Sequence, residues 1–121
     1  MLRCNYHTHT VMCDGSDTPE DVVLEAIAKG FEHLGFSGHM DHDIHMDWPA
    51  YVAEIRRLQS AYASKIDILL GVELDNVYDP ACCPGAEYVI GSTHFLDVDS
   101  EVPLSVDASV QGVRRLCHEV F

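Results

Sequence analysis

The stretch Ile66-Asp67-Ile68-Leu69-Leu70-Gly71-Val72-Glu73 decides how the rest of the chain is read. The run 66–72 is too short for an ordinary helix and too apolar for a half-exposed strand, so it reads as a strand buried in a sheet, delivering Glu73 at its end. On its N-terminal side, Pro49 opens a helix carrying Tyr51, Val52, Ile55, Leu58 and Tyr62 at helical spacing. Before that, Leu34-Gly35-Phe36-Ser37 is a second short apolar run that stops at Gly38-His39. A further helix precedes it. Asp17 or Thr18 is its cap, Pro19 suits the first turn, Glu20 and Asp21 favour its positive end, Val22, Val23, Ala26 and Ile27 form its apolar stripe, and Gly30 closes it. Residues 3–7 make a first strand that runs into the turn-like Asp14-Gly15-Ser16-Asp17.

On the C-terminal side, residues 77–85 hold two prolines and two cysteines and read as a loop. Tyr88-Val89-Ile90-Gly91-Ser92 is a fourth strand leading into Thr93-His94, and Ser105 or Asp107 caps a last helix with Val110, Val113, Leu116, Cys117 and Val120. The order strand, helix, strand, helix, strand, strand, helix predicts an α/β fold with parallel strands and helical crossovers. No internal repeat or low-complexity tract interrupts it. The whole chain, 1–121, is expected to form one domain.

The strand ends carry the chemistry. His7 and His9, His39, Glu73 and His94 each fall at or just past the C-terminal end of a predicted strand, where α/β barrels and open α/β sheets place their sites. In His7-Thr8-His9 an extended backbone turns both imidazoles the same way, which suits a metal pair but equally suits two histidines bonded to backbone. Asp14 stands five residues past His9, close enough to join the cluster, although Asp-Gly is also a plain turn. A carboxylate at Glu73, at the rim of a buried strand, is costly unless a cation satisfies it, and its two oxygens suit it to bridging two ions. Strands ending in imidazole or carboxylate, in a chain without a thiol-spacing motif, predict a mixed His/carboxylate site suited to zinc, manganese or iron.

Composition narrows the partners. Seven basic residues against twenty acidic ones give a formal charge of −13, which argues against nucleic acid unless bound cations reverse the sign locally. No apolar stretch approaches a membrane span, and residues 1–7 lack the pattern of a secretory signal, so a cytoplasmic location is the expectation. The five cysteines are an odd count without zinc-knuckle spacing and read as reduced thiols. Trp48 is read as packing the second helix, Arg56 and Arg57 as solvated surface, and His33 as a surface or cap residue. Residues 40–47 read as a solvated polar loop, within which Asp41, His42 and His45 are candidate proton donors to a leaving group.

These motifs together resemble the PHP (polymerase and histidinol phosphatase) family of phosphoesterases. The carriers are His7-Thr8-His9, Cys13-Asp14-Gly15, Gly35-Phe36-Ser37-Gly38-His39, Gly71-Val72-Glu73 and Val89-Ile90-Gly91-Ser92-Thr93-His94. The stretches Gly71-Val72-Glu73-Leu74-Asp75 and Ile90-Gly91-Ser92-Thr93-His94-Phe95-Leu96-Asp97 are most similar to the histidinol-phosphatase branch. The resemblance implies a distorted (β/α)7, TIM-like barrel, with this chain as its N-terminal part, truncated before the later strands and their ligands. It also implies two or three divalent ions, with His7 and His9 on one, Glu73 bridging to a second held by His94, and Asp14 with His39 on a third. Glu73 and His39 are then the residues nearest the reaction. The implied activity is hydrolysis of a small phosphorylated alcohol, histidinol phosphate first, in histidine synthesis. The alternatives are a phosphodiesterase of the same family acting on nucleotides and a non-catalytic metal-binding module. Oligomeric state is not legible in the sequence.

Overall fold

The computed structural model describes residues 3–41, 43–76 and 78–93, together with the backbone at 95–96 and 104–105. Helix α1 (Pro19–Ala28) starts where the Thr18 hydroxyl accepts the Asp21 amide, so Thr18 is the cap, with Pro19 in the first turn. Gly30, at φ 78°, takes the left-handed turn that leads out of it. Helix α2 (Trp48–Ala61) is capped by the Asp47 carboxylate on the Ala50 amide, one residue earlier than the proline signal alone suggests. Both helices bury one stripe: Val23 and Ala26 from α1, and Tyr51, Ile55 and Leu58 from α2.

The strands β1 (Cys4–Asn5), β2 (His33–Met40), β3 (Asp67–Asp75) and β4 (Tyr88–Ser92) form one parallel sheet in the order β1-β2-β3-β4. The α/β reading with parallel strands therefore holds. Alternation along β2 and β3 sends Leu34, Phe36 and Met40 with Ile68, Leu70, Val72 and Leu74 into the core shared with the helices. The opposite face carries Gly35, Ser37 and His39 beside Gly71, Glu73 and Asp75. That second face is concave. Tyr88 of β4 reaches across to donate a 2.7 Å hydrogen bond to the Tyr6 carbonyl just past β1. Three strand spacings in a flat sheet would separate them by about 14 Å, far beyond a tyrosine's reach, so the sheet must be strongly curled.

Several boundaries differ from the sequence reading for identifiable reasons. The first strand keeps only two ladder residues; beyond it one backbone bond, from the Ser37 amide to the Thr8 carbonyl at 3.0 Å, is joined by side-chain bonds, the Ser37 hydroxyl accepting the Thr8 amide at 3.0 Å and the Thr8 hydroxyl donating to the Gly35 carbonyl at 2.7 Å. β3 runs on to Asp75, so Glu73 lies inside the strand, opposite His39, rather than beyond its end. His33 is the first residue of β2 and pairs with Asp67 at 3.0 Å, at the end of the strand away from His39. A 3-10 turn (Pro80–Cys82) interrupts the loop before β4. Beyond it, β5 (Phe95–Leu96) and β6 (Leu104–Ser105) make a small antiparallel pair, which places Ser105 in a strand instead of at a helix cap. The rest of the expected last helix lies outside the described residues.

Candidate metal centre

The ladder brings the concave-face residues together. His39 on β2 is the register partner of Glu73 on β3, so the two side chains project side by side from neighbouring strands. His7 and His9 arrive from the segment after β1, whose path is held by the Ser37 and Thr8 bonds. One carboxylate oxygen of Glu73 then lies 2.9 Å from His7 Nε2, 3.1 Å from His9 Nε2 and 3.5 Å from His39 Nδ1. Glu73 is 6 % exposed and His7 is the solvent-facing member of the group.

Asp14 approaches from the other side of the rings. The His9 and His39 imidazoles stack at 4.3 Å with 19° between their planes, and Asp14 comes within 3.7 Å of His9 Nδ1 and 3.4 Å of His39 Nε2. The turn that carries it is folded back on the histidine segment, with the Cys13 and Gly15 amides both donating to the Thr10 carbonyl. A Cβ at Gly15 would sit 2.6 Å from the His9 carbonyl group, so only glycine allows that approach. The Asp-Gly pair is thus both a turn and the means of presenting a carboxylate.

The donor set fits a divalent cation. With metal–nitrogen bonds of about 2.0–2.1 Å, neighbouring ligand atoms in a tetrahedral shell lie about 3.3 Å apart. The spacings around Glu73 bracket that value, and donor atoms of His7, His9 and Glu73 all lie within 4.8 Å of one another. A second such group joins His9, Cys13 and Asp14. Burial, reinforced by the neighbouring His39 and opposed by Glu73 and Asp14, pushes the His9 imidazole below its ordinary pKa. His9 is therefore held in the neutral form that binds metal.

Two nearby residues are placed differently from the sequence reading, which gave Cys13 no part in the site and put Asp41, a candidate proton donor, in a solvated loop. Cys13 places its sulfur 3.7 Å from His9 Nδ1 and donates to Asp14 at 3.4 Å. Nothing in thiol spacing signals this, because its partners are an imidazole and a carboxylate. Asp41 is buried, where a solvated loop was expected. One of its oxygens accepts the Asp43 and Ile44 amides at 2.8 and 2.7 Å, and the other lies 3.8 Å from His39 Nδ1. The signal was available: Asp41 is two residues past His39, hence on the same face. His45 is exposed, while His42 and His94 lie outside the described residues. Trp48 packs as expected, with its indole N–H on the Pro84 carbonyl at 3.0 Å. Arg56 and Arg57 form surface pairs with Glu87, Glu54 and Glu20, away from the cluster. A cavity of about 640 Å³ bounded by Asn5, Thr8, Glu25, Lys29 and Leu34 lies against α1. No helix among the described residues is long and apolar enough to cross a membrane.

Comparison with known proteins identifies the family. The family model described as the PHP domain matches residues 5–114. A probable histidinol-phosphatase of Deinococcus radiodurans is 32% identical over 112 residues, covering 77% of this chain and 42% of the relative. The histidinol-phosphatase of Lactococcus lactis subsp. lactis is 36% identical over 80 residues, covering 61% of this chain and 30% of the relative. Among solved structures, histidinol phosphate phosphatase from Lactococcus lactis, complexed with zinc, L-histidinol and phosphate, superposes with a TM-score of 0.68 at 29% identity. That match covers 79% of this chain and 41% of the other. The chain thus spans less than half the length of each of these proteins.

Proposed function

The chain belongs to the PHP-domain family, and from that premise we propose that it forms the metal-binding part of a phosphomonoesterase acting on histidinol phosphate. The observation that carries the reading is the single Glu73 oxygen within 3.5 Å of nitrogens from His7, His9 and His39. A buried carboxylate facing three imidazoles at ligand spacing is a donor set that a divalent cation would join. In this reading His7, His9 and Glu73 hold one ion, Asp14 and His39 serve another, and His94 contributes from beyond β4. Zinc is the first candidate, since the Lactococcus lactis structure contains it, with manganese and iron compatible with the same donors.

Two or three ions bound there supply Lewis acidity, for activating water and neutralising charge on phosphoryl oxygens. The chain's own groups do the positioning. Glu73 presents one oxygen to three nitrogens at once, which fixes the imidazoles relative to one another. Asp41, held by two backbone amides, faces His39 Nδ1 and orients that ring. The Ser37 and Thr8 bonds lock the backbone between His7 and His9. Exposure of His7 leaves the cluster open to a small substrate on its solvent side.

Elemental mass spectrometry of the purified chain, with His7→Ala and Glu73→Ala alongside, tests the metal. Retained divalent metal that both variants lose is the expected result. Phosphate release from histidinol phosphate, compared with cleavage of a dinucleotide to its nucleoside and nucleotide followed chromatographically, tests the substrate. Faster cleavage of the dinucleotide would overturn the monoesterase reading, and a folded chain that retains no metal would overturn the centre.

A further inference from the structure

Tyr88 has a bond that packing alone does not explain. It opens β4 opposite Gly71, and its ring lies across the concave face of β3 and β2, over Gly71 and Gly35. Both glycines are required by that ring, because a Cβ at either would fall within the tyrosine's own atoms. The ring also meets Tyr6 edge-on, with centroids 6.1 Å apart and planes at 70°. A phenylalanine would fill this space equally well. The hydroxyl does something else: it donates to the Tyr6 carbonyl at 2.7 Å, on the peptide that leads directly into His7.

That peptide lies between the end of β1 at Asn5 and the next backbone bond, from the Ser37 amide to the Thr8 carbonyl. Its other side is tied too. The His7 amide donates to the Asn5 side-chain carbonyl at 3.0 Å. The carbonyl is thus held from β4 and the amide from β1, just before the imidazole that stands 2.9 Å from Glu73. Burial keeps the Tyr88 phenol well above its ordinary pKa, with Tyr6 and Glu87 adding to the effect, so it remains a donor.

We propose that Tyr88 is a positioning residue for His7: its hydroxyl, with the Asn5 carboxamide on the opposite side, clamps the Tyr6–His7 peptide so that the imidazole faces Glu73. The inference rests on the metal reading above and extends it to a residue on the far strand. It also accounts for the two glycines, Gly35 on β2 and Gly71 on β3, which let the phenol pass over both strands.

The test is Tyr88→Phe in the full chain, read by Co²⁺ titration with its visible absorption spectrum and by the nitrogen chemical shift of the His7 imidazole. The ring still fills the space over Gly35 and Gly71, so the fold is retained. Co²⁺ affinity is expected to fall about tenfold, the low end for losing an outer support of a metal ligand, with a changed spectrum and a shifted His7 resonance. Wild-type affinity and spectrum in the folded variant would overturn the proposal while leaving the metal centre intact. No Co²⁺ binding by the unsubstituted chain would overturn both. If Tyr88→Phe does not fold, Asn5→Ala decides: an equivalent loss of affinity supports the clamp, and an unchanged affinity overturns it.

Discussion

Tyr51→Phe isolates one hydroxyl that joins a helix to the strands carrying the candidate centre. The Tyr51 hydroxyl donates to the Gly71 carbonyl at 2.8 Å and accepts the Gly38 amide at 3.2 Å. Tyr51 is 1 % exposed, so neither strand group can turn to water when the oxygen is removed. Leaving a buried donor or acceptor unsatisfied costs about 1–3 kcal/mol each, which puts the loss at about 2–4 kcal/mol after partial relaxation. For a domain of this size that is a fall in melting temperature of about 8–15 °C. Urea unfolding of both proteins, with the slope m compared, measures it. The phenol's pKa is raised by burial, so the loss should be the same at neutral and mildly alkaline pH. A change below about 0.5 kcal/mol would refute the reasoning, because it would mean that the Gly38 amide and Gly71 carbonyl pair directly once the oxygen is gone. The damage should also reach the candidate centre, because Gly38 precedes His39 and Gly71 lies two residues before Glu73.

Other outcomes follow from the same geometry. Glu73→Gln keeps the shape but removes the charge shared by three imidazoles, so the chain should stay folded while Zn²⁺ affinity, measured by chelator competition, falls by about a hundredfold or more. Gly71→Ala should destabilise by about 1–3 kcal/mol through overpacking against Tyr88, and combining it with Tyr88→Leu should cost less than the sum of the two, as a double-mutant cycle in urea would show. Glu20 accepts hydrogen bonds from Tyr62 and Arg57, which hold its carboxyl below the ordinary range. A depressed folded pKa stabilises above the unfolded value and is lost as pH falls through the folded one. Glu20→Gln should therefore lower the urea midpoint at neutral pH, and the gap should close on acidification.

Much of the fold was legible because its signals are local. Thr18 with Pro19, the Tyr51, Ile55 and Leu58 stripe and the run into Glu73 each act over a single turn or strand, where propensity and periodicity are sufficient. The ligand candidates were legible for a related reason. Alternation puts His7 with His9, and a parallel sheet puts the C-terminal ends of its strands on one side, so His39 and Glu73 were expected on the same edge once the sheet was inferred; strand order and register make them neighbours. Spacing alone left Asp14 open between the cluster and a plain turn, the resemblance to the PHP family implied the cluster, and the structure places Asp14 beside His9 and His39.

Contacts between distant segments were not legible. Past the two-residue first strand the Ser37 hydroxyl takes the Thr8 amide while the Ser37 amide keeps the Thr8 carbonyl, and Asp41 is buried because two amides of its own turn satisfy it beside His39. Cys13 reaches His9 only because Gly15 lets the turn fold back. Tyr88 and Tyr6 are 82 residues apart, and their bond requires a curled sheet with glycine at both crossings. The sequence by itself determined which residue types stand at the strand ends, because that follows from short-range pattern. Only the tertiary structure decided which oxygen meets which nitrogen and what holds each in place, because those contacts depend on sheet curvature and on side chains that supplement the backbone bonds where β1 stops.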